Sequence, residues 1–233
     1  MPVKTRPTSL KAAIYEQIAR IGQATASPSR LELLDLLSQG ARTVEALARQ
    51  TGQRVATTSH HLQVLRRARL VEARKAGVYV TYRLADPQVG DFFLALRNLA
   101  ESRLAEVQHV TRQYLEQRGG LEPVDNDELV RRVRAGKVTV IDVRPREEYV
   151  AAHIPGAISV PLADLRKRAD RLEKRRDIVA YCRGPYCVMA LDAVALLRRK
   201  GFRAHRMEDG VPEWRAQGWR VEAGDDRHAA GRP

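Results

Sequence analysis

Residues 177–200 read DIVAYCRGPYCVMALDAVALLRRK and hold both cysteines of the chain, Cys182 and Cys187. The apolar run before Cys182 predicts a strand, and the apolar spacing after Cys187 predicts a helix. A thiol between a strand end and a helix start lies where backbone N–H groups converge and where the helix dipole favours an anion. This setting favours the thiolate, which is the nucleophilic form of cysteine.

The sequence around this loop predicts strands that alternate with helices. Strands are predicted at 138–143, 158–160, 178–181 and 203–207, and helices at 128–135, 146–152, 162–172 and 188–200. Such alternation predicts an α/β domain with a central parallel sheet and helices on both faces. Ligands of these sheets bind beyond the carboxyl ends of the strands, where Cys182 is expected.

The first half of the chain has a different pattern. Helical spacing is found at 9–21, 30–38 and 54–69, and a further helix is predicted from Thr43 to about Gly52. Ser27 is expected to cap the second helix, with Pro28 at its first position. Two short helices joined by a glycine-containing turn predict a helix-turn-helix. The strands predicted at 70–74 and 78–84, with a turn at 75–77, add a hairpin wing and make this an α+β winged domain.

The outer face of the predicted recognition helix is polar and basic. Its candidate DNA-binding residues are Thr57, Ser59, His60, Gln63 and Arg67, and the wing adds Arg74 and Lys75. Such side chains suit base edges in the major groove and phosphates beside it. Residues 1–120 carry 18 lysines and arginines against 10 aspartates and glutamates, within a net charge of +13. The balance indicates a double-stranded DNA partner, or alternatively an arginine-rich solvated surface.

Residues 10–118 resemble the ArsR-type winged-helix repressors. The similarity lies in ASPSRL at 26–31, TTSHHLQVL at 57–65 and YVTYRL at 79–84. It implies a homodimer on a palindromic operator. Two features differ from the family: Arg69 stands where a glycine is common, and residues 41–47 contain no cysteine, so the family's thiolate metal site is absent. No metal site is predicted, and Glu106 and His109 are interpreted as a solvated face.

A single long helix is predicted over 87–117. Its apolar stripe consists of Phe92, Leu96, Leu99, Val107, Val110 and Tyr114. A small winged domain is too short to cover such a stripe. Pairing with a second chain would bury it, and packing on the second half of this chain is the alternative.

Residues 122–223 resemble the rhodanese domain. The similarity lies in IDVR at 141–144, EY at 148–149, HIPGA at 153–157, VAYC at 179–182, DG at 209–210 and Trp214. It implies that Cys182 takes a sulfane sulfur from a donor and passes it on, by nucleophilic covalent catalysis. Arg183 then adds charge, and Asp142 and Arg144 orient the loop. The cradle around the sulfur is expected to consist of Gly184, Pro185 and Tyr186.

The loop differs from the usual rhodanese pattern at its end. Cys187 is either a thiol that resolves a Cys182 persulfide or a small residue buried at a helix start. A phosphatase loop would need arginine at position 188, which is valine. His153 is interpreted as structural.

The predicted organisation is a winged domain at 1–118, a linker at 119–123, a rhodanese domain at 124–223 and a disordered tail at 224–233. No membrane-length apolar run, signal peptide or disulfide framework is found, so we expect a cytoplasmic protein without a membrane partner. The main hypothesis is a DNA-binding regulator that senses or transfers sulfane sulfur, with no cofactor. The alternatives are a sulfurtransferase that the winged domain only localises or dimerises, and an oxyanion-binding sensor without sulfur transfer.

Overall fold

The structure is a computed structural model that describes residues 9–117 and 123–224. It divides into two compact units, Met1–Phe93 and Leu94–Pro233. The tail predicted to be disordered lies outside the described residues apart from Gly224, as does most of the predicted linker. The domain bounds given above therefore stay a prediction.

Four helices build most of the first unit. They are α1 Leu10–Thr25, α2 Pro28–Ser38, α3 Val44–Thr51 and α4 Val55–Arg67. Thr43 caps α3 by accepting a hydrogen bond from the N–H of Ala46 at 3.2 Å. Ser27 occupies the N-cap position of α2, but its side chain makes no capping hydrogen bond there. The first helix and the recognition helix are confirmed, with α1 extending four residues beyond its predicted end.

A three-stranded sheet completes the winged fold, with the order β1-β3-β2. Its strands are β1 Arg42–Thr43, β2 Val71–Ala76 and β3 Tyr79–Leu84. The predicted turn at 75–77 is wrong by two residues, because Ala76 pairs with Tyr79 and leaves Gly77 and Val78 as the turn. The two-residue strand β1 was not predicted, since so short a strand carries no periodic pattern. Leucines of α2, α3 and α4 form the centre of this unit's core: Leu33, Leu34, Leu47, Leu62 and Leu65.

The predicted single helix at 87–117 is two helices, α5 Pro87–Arg103 and α6 Ala105–Glu116. Between them Leu104 takes an extended backbone, with φ −110° and ψ 101°. The Gln108 side chain donates to the Glu101 carbonyl at 3.1 Å, so that carbonyl is satisfied although the helix ends. No proline or glycine marks the break, and the apolar pattern continues through it.

The second unit is a doubly covered parallel sheet. Its strands are β4 Pro123–Val124, β5 Val138–Asp142, β6 Ile158–Ser159, β7 Asp177–Tyr181 and β8 Ala204–Met207, in the order β4-β8-β7-β5-β6. Its other helices are α7 Asn126–Arg134, α8 Arg146–Ala151, α9 Leu162–Arg168, α10 Met189–Arg199 and α11 Val211–Ala216, with one 3-10 turn at Ala169–Arg171. The predicted parallel sheet is confirmed. Pro123, predicted as linker, lies in β4 and pairs with Arg206.

Strand β7 lies at the centre of the sheet, between β5 and β8. Ile178 and Ala180 pack on one face with α10, while Val179 and Tyr181 pack on the other face with Trp214. This alternation follows from the two-residue period of a strand. It fixes the end of β7 in a buried position and delivers Cys182 to the carboxyl edge of the sheet. No described helix is long and apolar enough to cross a membrane.

Candidate functional site

The cysteine loop, residues 182–187, joins β7 to α10. Cys182 is only 1% exposed, Cys187 is half-buried, and neither forms a disulfide. The Cys182 thiol donates to the Cys187 carbonyl at 3.3 Å. The Cys187 N–H donates to the Gly184 carbonyl at 3.1 Å, which closes a tight turn. The loop therefore folds back so that the Cys182 thiol lies against the backbone of Cys187.

The two thiols have pKa values that are shifted in opposite directions. Burial, and then the interaction with the Cys187 side chain, raise the pKa of Cys182 well above its ordinary value. The interaction with the Cys182 side chain lowers the pKa of Cys187 to about 6, helped by the N–H groups of Arg183 and Met189. The first-turn N–H groups of α10 point at the sulfurs because a helix start leaves them without intrahelical partners. The sequence predicted a thiolate at Cys182, whereas the structure favours it at Cys187, because Cys182 is the more deeply buried thiol.

Arg183, expected to charge the loop, is held by Glu148. Its Nε and Nη2 atoms donate to the Glu148 carboxylate at distances of 2.6 to 3.2 Å. Glu148 is 1% exposed and comes from α8, so the pair is a fixed, largely desolvated bridge. Arg183 still lowers the pKa of Cys187 through its charge. Its guanidinium is therefore shared between a buried carboxylate and the thiolate.

Asp142 and Arg144 lie beneath the loop and act on the residue before it. Arg144 donates to Asp142 through its backbone N–H at 3.0 Å and through its guanidinium, and both side chains are fully buried. The Tyr181 hydroxyl donates to Asp142 at 2.6 Å and accepts from the Ile154 N–H at 3.2 Å. Burial and the charge of Asp142 raise the pKa of Tyr181, which keeps its proton on the hydroxyl. These groups fix Tyr181 and hence the direction in which the chain enters the loop.

Two residues of the loop's surroundings were not assigned a role from the sequence. A Cβ on Gly210 would lie 2.6 Å from the Arg183 carbonyl carbon and 2.7 Å from the Cys182 oxygen, so only glycine fits there. Glu213 accepts from the Gly210 N–H at 2.8 Å, and its Oε1 lies 3.1 Å from a Cβ placed on Gly184. Gly184 has a φ of +133°, which side-chain-bearing residues rarely adopt. The Asp209-Gly210 pair in the sequence pointed to Gly210, but no sequence pattern indicated Glu213.

The other predicted loop residues take different positions. Tyr186 is 49% exposed, and its hydroxyl donates to Glu101. The Pro185 carbonyl accepts from Arg206 at 3.4 Å. His153 stacks on Tyr149 with ring centroids 3.8 Å apart and bonds the Tyr149 carbonyl through Nδ1. Its buried, stacked position fits the structural role that the sequence suggested.

The predicted DNA-binding residues lie on α4 and β2 of the first unit, and most of them are exposed. Thr57, His60, Gln63 and Arg67 are exposed on α4, and Ser59 is half-buried beside them. Arg74 and Lys75 are exposed on β2, next to the turn at the end of the hairpin. Arg67 Nε donates to the Gln63 carbonyl at 3.3 Å, which holds that side chain along the helix. His61 is half-buried, and burial lowers its pKa.

The fold and the loop define a class: a winged helix-turn-helix protein that carries a rhodanese-like domain. Family models agree with both halves: "Bacterial regulatory protein, arsR family" matches residues 27–73, and "Rhodanese-like domain" matches residues 125–217. The HTH-type transcriptional regulator Rv0324 of Mycobacterium tuberculosis is 47% identical over 215 residues, which cover 92% of this chain and 94% of that protein. The chain belongs to the ArsR family of transcriptional regulators, in a form with a C-terminal rhodanese-like domain.

Solved structures match each half. The winged helix-turn-helix domain of Mb0332 from Mycobacterium bovis, described as homodimeric, is 42% identical and covers 43% of this chain and 93% of that one, with a TM-score of 0.40. The rhodanese-like domain of Alr3790 from Anabaena is 36% identical and covers 48% of this chain and 86% of that one, with a TM-score of 0.40.

Proposed function

We propose that this regulator is a homodimer whose DNA binding responds to sulfane sulfur through Cys182 and Cys187. One observation carries the proposal. The chain has two cysteines, and both lie in one loop at the carboxyl edge of the sheet, where the Cys182 thiol donates to the Cys187 carbonyl. Because the winged unit of this regulator contains no cysteine, any thiol chemistry of the protein takes place in this loop.

The first chemical step would place a sulfur atom on Cys182. Its proton passes to the Cys187 thiolate, or to solvent where that thiol is absent, and the Cys182 thiolate attacks the outer sulfur of the donor. The sulfur–sulfur bond of the donor breaks, and its electron pair leaves with the rest of the donor molecule. The N–H groups of Arg183 and Ala190, which lower the pKa of Cys182 against its burial, would stabilise the new anionic sulfur.

The second step would use Cys187 as the resolving thiol. After its proton is lost to solvent, the Cys187 thiolate attacks the Cys182 sulfur of the protonated persulfide. The bond to the added sulfur breaks, hydrosulfide leaves, and a Cys182–Cys187 disulfide remains. The low pKa of Cys187 supports this role, because a thiolate is available at neutral pH.

Dimer formation is supported by the outer face of α1. Three large apolar side chains there are exposed in the single chain: Leu10 by 79%, Ile14 by 49% and Ile18 by 56%. Apolar residues at helical spacing on one face are typical of a helix that packs on a partner. A twofold dimer would place two α4 helices on a palindromic operator.

The test is the intact mass of the protein after treatment with glutathione persulfide. We expect Cys187→Ser to gain one sulfur atom and hold it, because the resolving thiol is absent. Wild type should lose two hydrogens as the disulfide forms, whereas Cys182→Ser should form no disulfide and should gain less sulfur than Cys187→Ser. Sulfur uptake by Cys182→Ser equal to that of Cys187→Ser would contradict the proposal. An affinity change caused by oxyanions, without any sulfur uptake, would select the oxyanion-sensor alternative.

A further inference from the structure

The last turns of α5 lie against the cysteine loop within the second unit. Arg97 Nη1 donates to Glu213 Oε1 at 2.7 Å, and the Arg97 guanidinium lies 5.8 Å from the centroid of the Tyr186 ring. Tyr186 in turn donates to Glu101, one helical turn after Arg97. Residues 94–103 lie outside both matched family segments, 27–73 and 125–217. These contacts are therefore additions to the rhodanese-like site that neither family model covers.

Glu213 transmits the contact from α5 to the loop backbone. One carboxylate oxygen accepts from Arg97, and the other accepts from the Gly210 N–H at 2.8 Å. Both oxygens lie within 3.3 Å of a Cβ placed on Gly184, so no gap separates the carboxylate from the loop. Gly210 itself touches the Cys182 carbonyl and the Arg183 backbone. A displacement of Glu213 therefore requires a displacement of the loop.

The Arg97–Glu213 pair is the stronger of the two links. Its side chains are only 10% and 9% exposed, and a buried ion pair that loses one partner leaves a charge without compensation. Tyr186 and Glu101 are 49% and 35% exposed, so solvent competes for their hydrogen bond. Arg97 also approaches Glu101 at 3.5 Å, which joins both links on one helix.

We propose that Arg97 and Glu101 of α5 are positioning residues for the cysteine loop, acting through Glu213 and Tyr186. The regulator's own helix thus completes the site on the rhodanese-like domain. The part concerning sulfur rests on the proposed function, whereas the positioning of the thiols does not. If sulfur loading changes the loop, it also changes the free energy of the α5 contacts. By linkage, the α5 contacts then change the free energy of sulfur loading by the same amount.

The test measures the iodoacetamide alkylation rate of Cys182 and its rate of persulfide formation in the full chain. Arg97→Met should release Glu213, loosen the loop and expose the buried thiol, raising Cys182 alkylation by about fivefold or more. Arg97→Lys, which keeps the charge, should restore part of the wild-type rate. Arg97→Met and Glu213→Gln together should give less than the sum of their separate effects, because they break one pair. Persulfide formation should change in the same variants.

The control is Arg103→Met, which removes an exposed arginine from the same helix and should leave both rates as in wild type. Tyr186→Phe removes only the Glu101 hydrogen bond from a half-exposed side chain and should give a smaller increase. Alkylation of Arg97→Met at the wild-type rate, or additive effects in the double variant, would overturn the proposal. If wild type takes up no sulfur while Arg97→Met still speeds alkylation, the proposed function fails and the positioning role stands.

Discussion

The sharing of a proton between Cys182 and Cys187 decides which sulfur carries the negative charge at rest. Cys182 is the more buried, so it keeps its proton and donates it toward Cys187. Arg183 and the start of α10 add positive potential at Cys187. At rest the pair therefore carries one negative charge, on Cys187, whose pKa the neighbouring Cys182 side chain and the charge of Arg183 both lower.

This arrangement predicts the pH dependence of thiol alkylation. Alkylation of Cys187 in wild type should follow a midpoint near pH 6, the lowered pKa of that thiol. Cys182→Ala should raise the midpoint toward about 8.5, the value of an ordinary cysteine, because the main hydrogen-bond donor is lost. Cys182→Ser keeps a hydroxyl donor and should lie between the two.

The measurement is the rate of iodoacetamide modification at Cys187 from pH 5 to pH 9, read by peptide mass. A wild-type midpoint at or above that of Cys182→Ala would contradict the shared-proton account.

At this scale the sequence predicted part of the loop and missed its partners. Cys182, Cys187, Arg183 and Gly184 lie within one short segment, so a strand–loop–helix pattern was sufficient to find them. Glu148 reaches Arg183 from 35 residues away, and no local pattern encodes that distance. Glu213 was missed for the same reason, since its place beside Gly184 depends on how α11 follows β8.

Among the elements, the turn that follows the recognition helix contains a residue that is poorly suited to its backbone conformation. Arg69 has φ +61°, in the left-handed region where a Cβ is strained. The resemblance had marked position 69 as one where related proteins often have glycine. The structure gives the physical reason, because the chain must turn there to enter β2.

Arg69→Gly should therefore stabilise the first unit by about 0.5–1 kcal/mol, since glycine removes the Cβ strain but costs some chain entropy. Arg69→Ala keeps the Cβ and should give no gain, which makes it the matched control. The measurement is urea unfolding followed by circular dichroism. Fluorescence of Trp214 and Trp219 reports the second unit and should not change. A lower unfolding midpoint for Arg69→Gly than for Arg69→Ala would contradict the strain argument.

The break between α5 and α6 is the element-scale feature that the sequence did not reveal. Apolar spacing runs through Leu104 without proline or glycine, so one helix was predicted. The Gln108 side chain donates a hydrogen bond to the Glu101 carbonyl across the break, in place of a backbone N–H. A hydrogen bond of this kind leaves no periodic pattern in the sequence. The parallel sheet and the helix-turn-helix, which depend on long repeated patterns, were predicted correctly, although no strand order was predicted.

For the whole molecule, the net charge of +13 favours the binding of DNA, whose phosphates are negatively charged. Phosphate contacts dominate such affinity and make it fall with salt, while base contacts carry the sequence preference. The wing residue Lys75 is exposed next to the hairpin turn, and His60 is exposed on α4. Lys75 is expected to contribute phosphate contacts, and His60 is expected to contribute to the sequence preference.

Lys75→Ala should weaken binding to operator and non-operator duplexes alike and reduce the slope of log affinity against log salt by about one. Lys167→Ala, which removes an exposed lysine from α9, should leave the slope unchanged. Affinities measured by fluorescence anisotropy at several salt concentrations test this. A loss confined to the operator would mean that Lys75 contacts bases.

The central claim joins sulfur on the loop to DNA binding, and one paired measurement tests it most directly. Wild type is treated with glutathione persulfide, and intact mass and operator affinity are read on the same sample. The account predicts that cysteine modification and an affinity change of about fivefold or more appear together in wild type, and that Cys182→Ser shows no affinity change. Full modification of the cysteines with unchanged operator affinity would contradict it.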